Sequence, residues 1–188
     1  YNVDNGVIFN NYMFRCDAAG LYSIYSGNTN IEHNIAFDNN NGLILRECNN
    51  IIMENNSASD STVDGFEIYD SHNNIISNNT AENNGFWGFS ISYGSENNYY
   101  YGNTAISCNM GIQIYRSNHN TFESNILIDN VRSINLQESE INTFNDNSMN
   151  NVGFSFSGNQ VSYWNTHIID TSNNINGRPV YYYKNMTN

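Results

Sequence analysis

Six asparagines, Asn34, Asn56, Asn79, Asn103, Asn125 and Asn147, recur at intervals of 22, 23, 24, 22 and 22 residues. A second column keeps step with them: Gly20, Gly42, Gly65, Gly88 and Gly111, with Ser133 in the sixth place. The interval between the columns is 14 residues in every repeat but the fourth, where it is 15. A fixed period of this length marks a solenoid, because each repeat buries its apolar face only by stacking on its neighbours.

Aligned on the glycine column, the repeats read Gly42-Leu-Ile-Leu, Gly65-Phe-Glu-Ile, Gly88-Phe-Ser-Ile, Gly111-Ile-Gln-Ile and Ser133-Ile-Asn-Leu, followed by Gly153-Phe-Ser-Phe. Positions one and three are apolar and position two varies, which is the alternation of a strand with one buried face. A second short strand follows at Asn50-Ile-Ile-Met, Asn74-Ile-Ile-Ser, Asn98-Tyr-Tyr-Tyr, Asn120-Thr-Phe-Glu and Asn142-Thr-Phe-Asn. A third begins at each column asparagine, and Asn, Ser, Asp and Gly fill the turns between. Three strands and three turns per repeat predict an all-β fold: a right-handed, single-stranded parallel β-helix of about seven to eight coils of 22–23 residues, with a rod length of roughly 35–40 Å. The asparagines are expected to form an inward ladder, each amide bonding the ones above and below, as in cross-β stacks. The glycines are expected at tight corners that tolerate a small residue such as Ser133.

The pattern also shows where it weakens. Ser23 falls on an apolar position, so the N-terminal coils are expected to be irregular. The period lapses near Tyr163. Residues 1–162 are therefore assigned to the coils. Residues 163–188 are assigned to a segment that covers the C-terminal end of the same domain, with Pro179-Val-Tyr-Tyr-Tyr-Lys as an aromatic strand. A solenoid end needs such cover, because open strand edges invite pairing. The chain starts in mid-pattern at Tyr1, as expected of an excised or mature segment.

Composition narrows the partners. Asparagine supplies 41 of 188 residues, a poor basis for helices. The net charge is −12 with only six Lys and Arg, scattered without a basic patch, which argues against nucleic acid. No apolar run is long enough for membrane insertion. Cys16, Cys48 and Cys108 are odd in number and lack metal-type spacing, so they read as small apolar fillers. The sequons at Asn55, Asn78 and Asn185 permit glycosylation on export.

The pattern Gly-φ-x-φ, then Asn-x-φ, then Asn-x-Ala over roughly residues 10–160 resembles the parallel β-helix repeat of NosD-type proteins, related to the carbohydrate-binding and sugar-hydrolase group. The tail from Asp170 through Asn-Gly-Arg-Pro-Val-Tyr-Tyr-Tyr-Lys is similar to the segment closing NosD-like regions in cell-surface proteins of methanogenic archaea. The resemblance implies an extracellular or cell-surface module with other domains in its parent chain. The family name implies periplasmic copper delivery. The same fold occurs in pectin-type lyases, polygalacturonases and alginate epimerases, so it does not by itself select a function.

The row five residues after each glycine is the candidate binding surface: Tyr25, Glu47, Asp70, Tyr93, Arg116 and Glu138, with Arg46, Tyr69 and Tyr115 beside it. Stacked rings and carboxylates suit a polysaccharide or cell-envelope glycan. On this basis Glu47, Tyr69, Tyr93, Tyr115, Arg116 and Glu138 are the expected substrate contacts. Asp60, Asp64, Glu67 and Asp70 form an acidic cluster. Within it Glu67 and Asp70 are the candidate acid and base of a glycoside hydrolase, a reaction that needs paired carboxylates. The same oxygens suit Ca²⁺. No Lys and Arg cluster faces them, which argues against β-elimination of a uronate. His72 and His119 hold similar repeat positions two coils apart, too far to share a metal, and neither they nor His33 and His167 form a copper-binding tract. The leading expectation is a structural or polysaccharide-binding module. A polysaccharide hydrolase or lyase and a copper-delivery protein are the alternatives.

Overall fold

The computed structural model describes residues 2–184. The chain winds into seven complete coils and two strands of an eighth, forming three parallel sheets. The first sheet stacks eight strands, from Val7–Phe9 through Asn30–Glu32 to Ile168–Ile169. The second stacks Tyr12–Phe14, Ile35–Phe37 and their successors to Asn174–Ile175. The third holds the strands after the glycine column, from Ala19–Ile24 to Phe154–Ser157. Register follows the repeat: Leu43 pairs with Phe66, Phe66 with Phe89, Phe89 with Ile112 and Ile112 with Ile134.

Each full coil turns at four bends rather than three. A bend is a residue with left-handed backbone followed by an inward polar side chain. His33, Asn55, Asn78, Gly102, Ser124 and Asp146 all have positive φ, and each directly precedes a column asparagine. Asn and Asp tolerate this region best among residues with a side chain. The buried asparagine after the bend then satisfies the backbone that the turn leaves unpaired. The expected ladder runs from Asn11 through Asn34 and Asn147 to Asn173, one coil beyond the six-asparagine column at each end.

Three more ladders share the plan. One joins Asn74, Asn98, Asn120 and Asn142 and ends on the His167 ring. Its register places Ile51, not Asn50, beside Asn74. Another alternates asparagine with Cys16, Ser61 and Cys108. The last is a serine column, Ser71, Ser95, Ser117 and Ser139, with Cys48 donating its N–H to Ser71. All three cysteines are free and occupy ladder positions; Cys48 and Cys108 are buried and Cys16 is half-buried. The additional residue in the fourth repeat is taken up at Gly94, whose φ of 81° suits glycine.

The core is a stack of like residues. The rings of Tyr100, Phe122 and Phe144 stack nearly parallel, with centroids 4.6 and 4.9 Å apart. Ala36, Ala58, Ala81 and Ala105 form a fully buried column in the second sheet. The glycine column is not the tight corner expected: a Cβ on Gly42 would lie 2.3 Å from the Gly65 carbonyl and 2.6 Å from the Ala58 Cβ. Glycine is there for close approach between coils. Ser133 fits because its hydroxyl donates to the Val152 carbonyl.

The first coil is regular, contrary to expectation. Val7–Phe9 and Tyr12–Phe14 pair in full register with the second coil. Ser23 is fully buried opposite Leu45, with the Cys48 sulfur 3.4 Å from its carbonyl. Val7, Phe9 and Tyr12 are exposed because they hold the outward positions of their strands, while Ile8 and Met13 between them pack against the core.

Beyond the last strand of the third sheet, a short helix spans Ser162–Asn165. Arg178–Pro179 then folds back antiparallel on Asn174–Ile175. Residues 180–184 have no strand, although Tyr182 stacks on Phe156 at 5.8 Å and the Val180 N–H donates to the Asn173 carbonyl.

Candidate functional site

The row five residues after each glycine is a column of bends. Tyr25, Glu47, Asp70, Tyr93, Arg116 and Glu138 all have positive φ. Each donates its N–H to the carbonyl one position earlier in the following coil, so the side chains align along the rod. Tyr93 lies between Tyr69 at 4.8 Å and Tyr115 at 5.4 Å. The Arg46 guanidinium lies 4.4 Å over the Tyr69 ring, and that of Arg116 lies 4.9 Å over Tyr115. Arg116 Nε also donates to Glu138 at 2.7 Å.

Beside this row the outer face of the third sheet is recessed into a groove of about 740 Å³. Its floor is position two after the glycine column, where Glu67, Ser90, Gln113, Asn135 and Ser155 are successive register partners. Trp87, Met110 and Arg132 form one wall; Tyr69, Tyr93 and Tyr115 line the other side, and Phe156 of the last strand borders the groove at its end. The walls leave Ser90, Gln113 and Asn135 only 2%, 4% and 7% exposed. The floor is a hydrogen-bonded chain: Asn135 Nδ2 donates to Gln113 Oε1 at 2.7 Å, and Ser155 Oγ donates to Asn135 Oδ1 at 2.6 Å.

The structure gathers some of the expected residues and separates others. Tyr69, Tyr93, Tyr115 and Glu67 line the groove, while Arg116 and Glu138 pair on its rim row. Glu47 and Asp70 lie on the bend row outside the groove lining. Asp70 is 3.4 Å from the His72 ring nitrogen. Sequence reasoning missed Trp87, Gln113, Asn135 and Arg132. For Gln113 and Asn135 the signal was present at position two, where Ile44 gives way to Glu, Ser, Gln, Asn and Ser; Trp87 and Arg132 lie one residue before the glycine column, where Met110 also stands.

The carboxylate electrostatically linked to Glu67 is Asp64. It is 3% exposed and accepts the Trp87 N–H at 3.3 Å. Burial, and then the Glu67 charge, push the Asp64 carboxyl up to about 7. Burial also raises Glu67, against the opposing pull of Arg46.

Among the described residues the side-chain donor set does not fit copper. Among the described residues no three His, Cys, Asp or Glu side chains gather as a metal site. His167 Nδ1 accepts the Asn142 N–H, and burial lowers its affinity for a proton. His119 shares the left-handed column of Asn50, Asn73 and Asn97, whereas His72 lies one residue before that column. The two are thus not equivalent positions, as the sequence had suggested. Asp60 and Asp70 are bend residues, apart from buried Asp64. Asn55 and Asn78 are exposed on adjacent coils, and the Asn185 sequon lies outside the described residues.

A parallel β-helix with a lateral groove along its third sheet defines the class, a β-solenoid. The chain belongs to the family described as periplasmic copper-binding protein (NosD), whose sequence model matches residues 1–185. No curated protein matches it. Among solved structures it is similar to a mutant of the periplasmic alginate epimerase AlgG, with a TM-score of 0.63 and 17% identity over 78% of this chain. It is also similar to the alginate lyase from Paenibacillus sp. str. FPU-7, with a TM-score of 0.54 and 15% identity over 85% of this chain. The chain spans 39% of the epimerase and 74% of the lyase. At such identities the likeness is one of fold. No helix among the described residues is long and apolar enough to cross a membrane.

Proposed function

We propose that this chain is an extracellular or cell-surface β-helix module that holds an extended polysaccharide along its third sheet, within a larger parent protein. One observation carries this: a single groove combines a floor of hydroxyl and amide side chains with walls of Trp87, Tyr69, Tyr93 and Tyr115. Sugar rings stack on such walls, and their hydroxyls bond such a floor. Successive coils repeat the floor at the ordinary strand spacing, which suits a ligand that is itself a repeating chain. The alginate-acting neighbours add support for a polysaccharide as ligand class, and the resemblance of the tail supports an envelope glycan. Affinity electrophoresis through glycan-containing gels tests the proposal. Retardation by a glycan, reduced in Tyr93→Ala, is expected; unretarded migration on every glycan would refute it.

A hydrolase is the second reading, favoured by Glu67 on the groove floor with its carboxyl raised by burial. On it Glu67 acts as the acid, while Asp70, its expected base, stands on the bend row outside the groove lining. Turnover by the wild type and its loss in Glu67→Gln would establish it; an intact product profile in Glu67→Gln would refute it.

A further inference from the structure

We infer that the groove selects an uncharged glycan, a chain of plain or N-acetylated hexopyranoses, and rejects polyuronates. This inference rests on the groove proposed above and concerns which sugars enter it.

The argument is one of charge. A polyuronate carries a carboxylate on every sugar, so a groove that holds it needs cations recurring from coil to coil. Here the lining has one cation, Arg132, and one anion, Glu67. Every other lining side chain is uncharged. The two nearest arginines are already engaged. Arg116 is neutralised by Glu138 at 2.7 Å and lies over Tyr115. Arg46 lies over Tyr69 and beside the Glu67 charge. Asp70 and Glu47 on the bend row add negative charge around the same end, in a chain of net charge −12. An acidic polymer would approach against this field and find no row of partners.

The floor suits a neutral ligand for a separate reason. Gln113 and Asn135 present amide donors and acceptors at near-complete burial, held by the chain through Ser155. Gln113 Nε2 has only a long contact, 3.4 Å to the Ile114 carbonyl, and so retains donor capacity for a sugar oxygen. A hydroxyl or acetamido group both donates and accepts, and satisfies such a floor. A carboxylate would instead carry a full charge onto this nearly buried floor, which holds no cation, at a large desolvation cost.

The test uses the whole chain and four hexasaccharide probes: cellohexaose, chitohexaose, and the hexamers of alginate and polygalacturonate. Calorimetry is run at ionic strengths of about 0.01 M and about 0.15 M, between which the screening length falls from about 30 to about 8 Å. The expected result is binding of a neutral probe at least about tenfold tighter than either uronate, with affinity changing less than about twofold between the two salts. Gln113→Ala is expected to weaken neutral binding by about tenfold, and Arg132→Gln by less than about twofold. The exposed Tyr93→Ala variant guards against a folding defect in Gln113→Ala. Tighter, salt-sensitive binding of a uronate would overturn this inference and leave the groove proposal standing. Binding of no probe by folded protein would overturn both.

Discussion

Asn79 Oδ1 accepts two hydrogen bonds from Asn56, one from its backbone N–H at 2.9 Å and one from Nδ2 at 3.0 Å. Asn79 in turn donates through Nδ2 to the Met53 carbonyl and to Asn103 Oδ1. One side chain thus ties three coils together. Asn79→Ala would leave at least two buried groups unpaired, at about 1–3 kcal/mol each. A loss of about 3 kcal/mol in urea-monitored stability is expected. A loss below about 1 kcal/mol would mean the ladder is incidental to the fold.

The Tyr100 hydroxyl is buried and has no hydrogen-bond partner, within a stack whose next members are Phe122 and Phe144. Phenylalanine at that position keeps the ring and removes the unmet group. Tyr100→Phe is expected to stabilise the protein by about 1 kcal/mol, read as a raised midpoint of denaturation. A lower midpoint would show that the hydroxyl has a partner in solution.

Asp64 gives stability a pH dependence of definite sign. Its carboxyl is raised in the folded state from 3.8 to about 7. The folded form therefore holds a proton that the unfolded chain has released, and stability falls as the pH rises from about 4 to about 7. Asp64→Asn keeps an acceptor for the Trp87 N–H and removes the titration. The difference in stability between variant and wild type is expected to grow by on the order of 3 kcal/mol across that window. A constant difference would place Asp64 in contact with solvent.

The family description names copper, and the donor set here does not converge on it. Titration with Cu²⁺ is expected to show no saturable site. A stoichiometric site lost in His167→Gln would contradict this, because His167 Nδ1 is engaged by Asn142.

The period of Asn34 through Asn147 made the solenoid and its main ladder legible, since a like residue stacks on a like residue at one side-chain site per coil. The other ladders were harder to see, because Ile51, Ser61 and the cysteines interrupt them and the backbone bonds persist regardless. The role of glycine was misread for a physical reason: the sequence marks the residue but not whether a turn or a close neighbour requires it. The tyrosine side of the groove was legible from Tyr69, Tyr93 and Tyr115. The floor was not, because a variable outward position looks like any solvated face until flanking Trp87 and Met110 are seen to wall it in. The Asp64 to Glu67 linkage likewise depends on burial, which spacing alone does not give.

Glycan binding in the groove is tested most directly by nuclear magnetic resonance of nitrogen-labelled protein during titration with the tightest-binding hexasaccharide. The side-chain amides of Gln113 and Asn135, on the groove floor, are expected to shift in proportion to occupancy, while those of Asn79 and Asn120, inside the ladders, stay in place. Shifts confined to another face of the rod, with Gln113 and Asn135 unmoved, would contradict the assignment of the groove as the binding site.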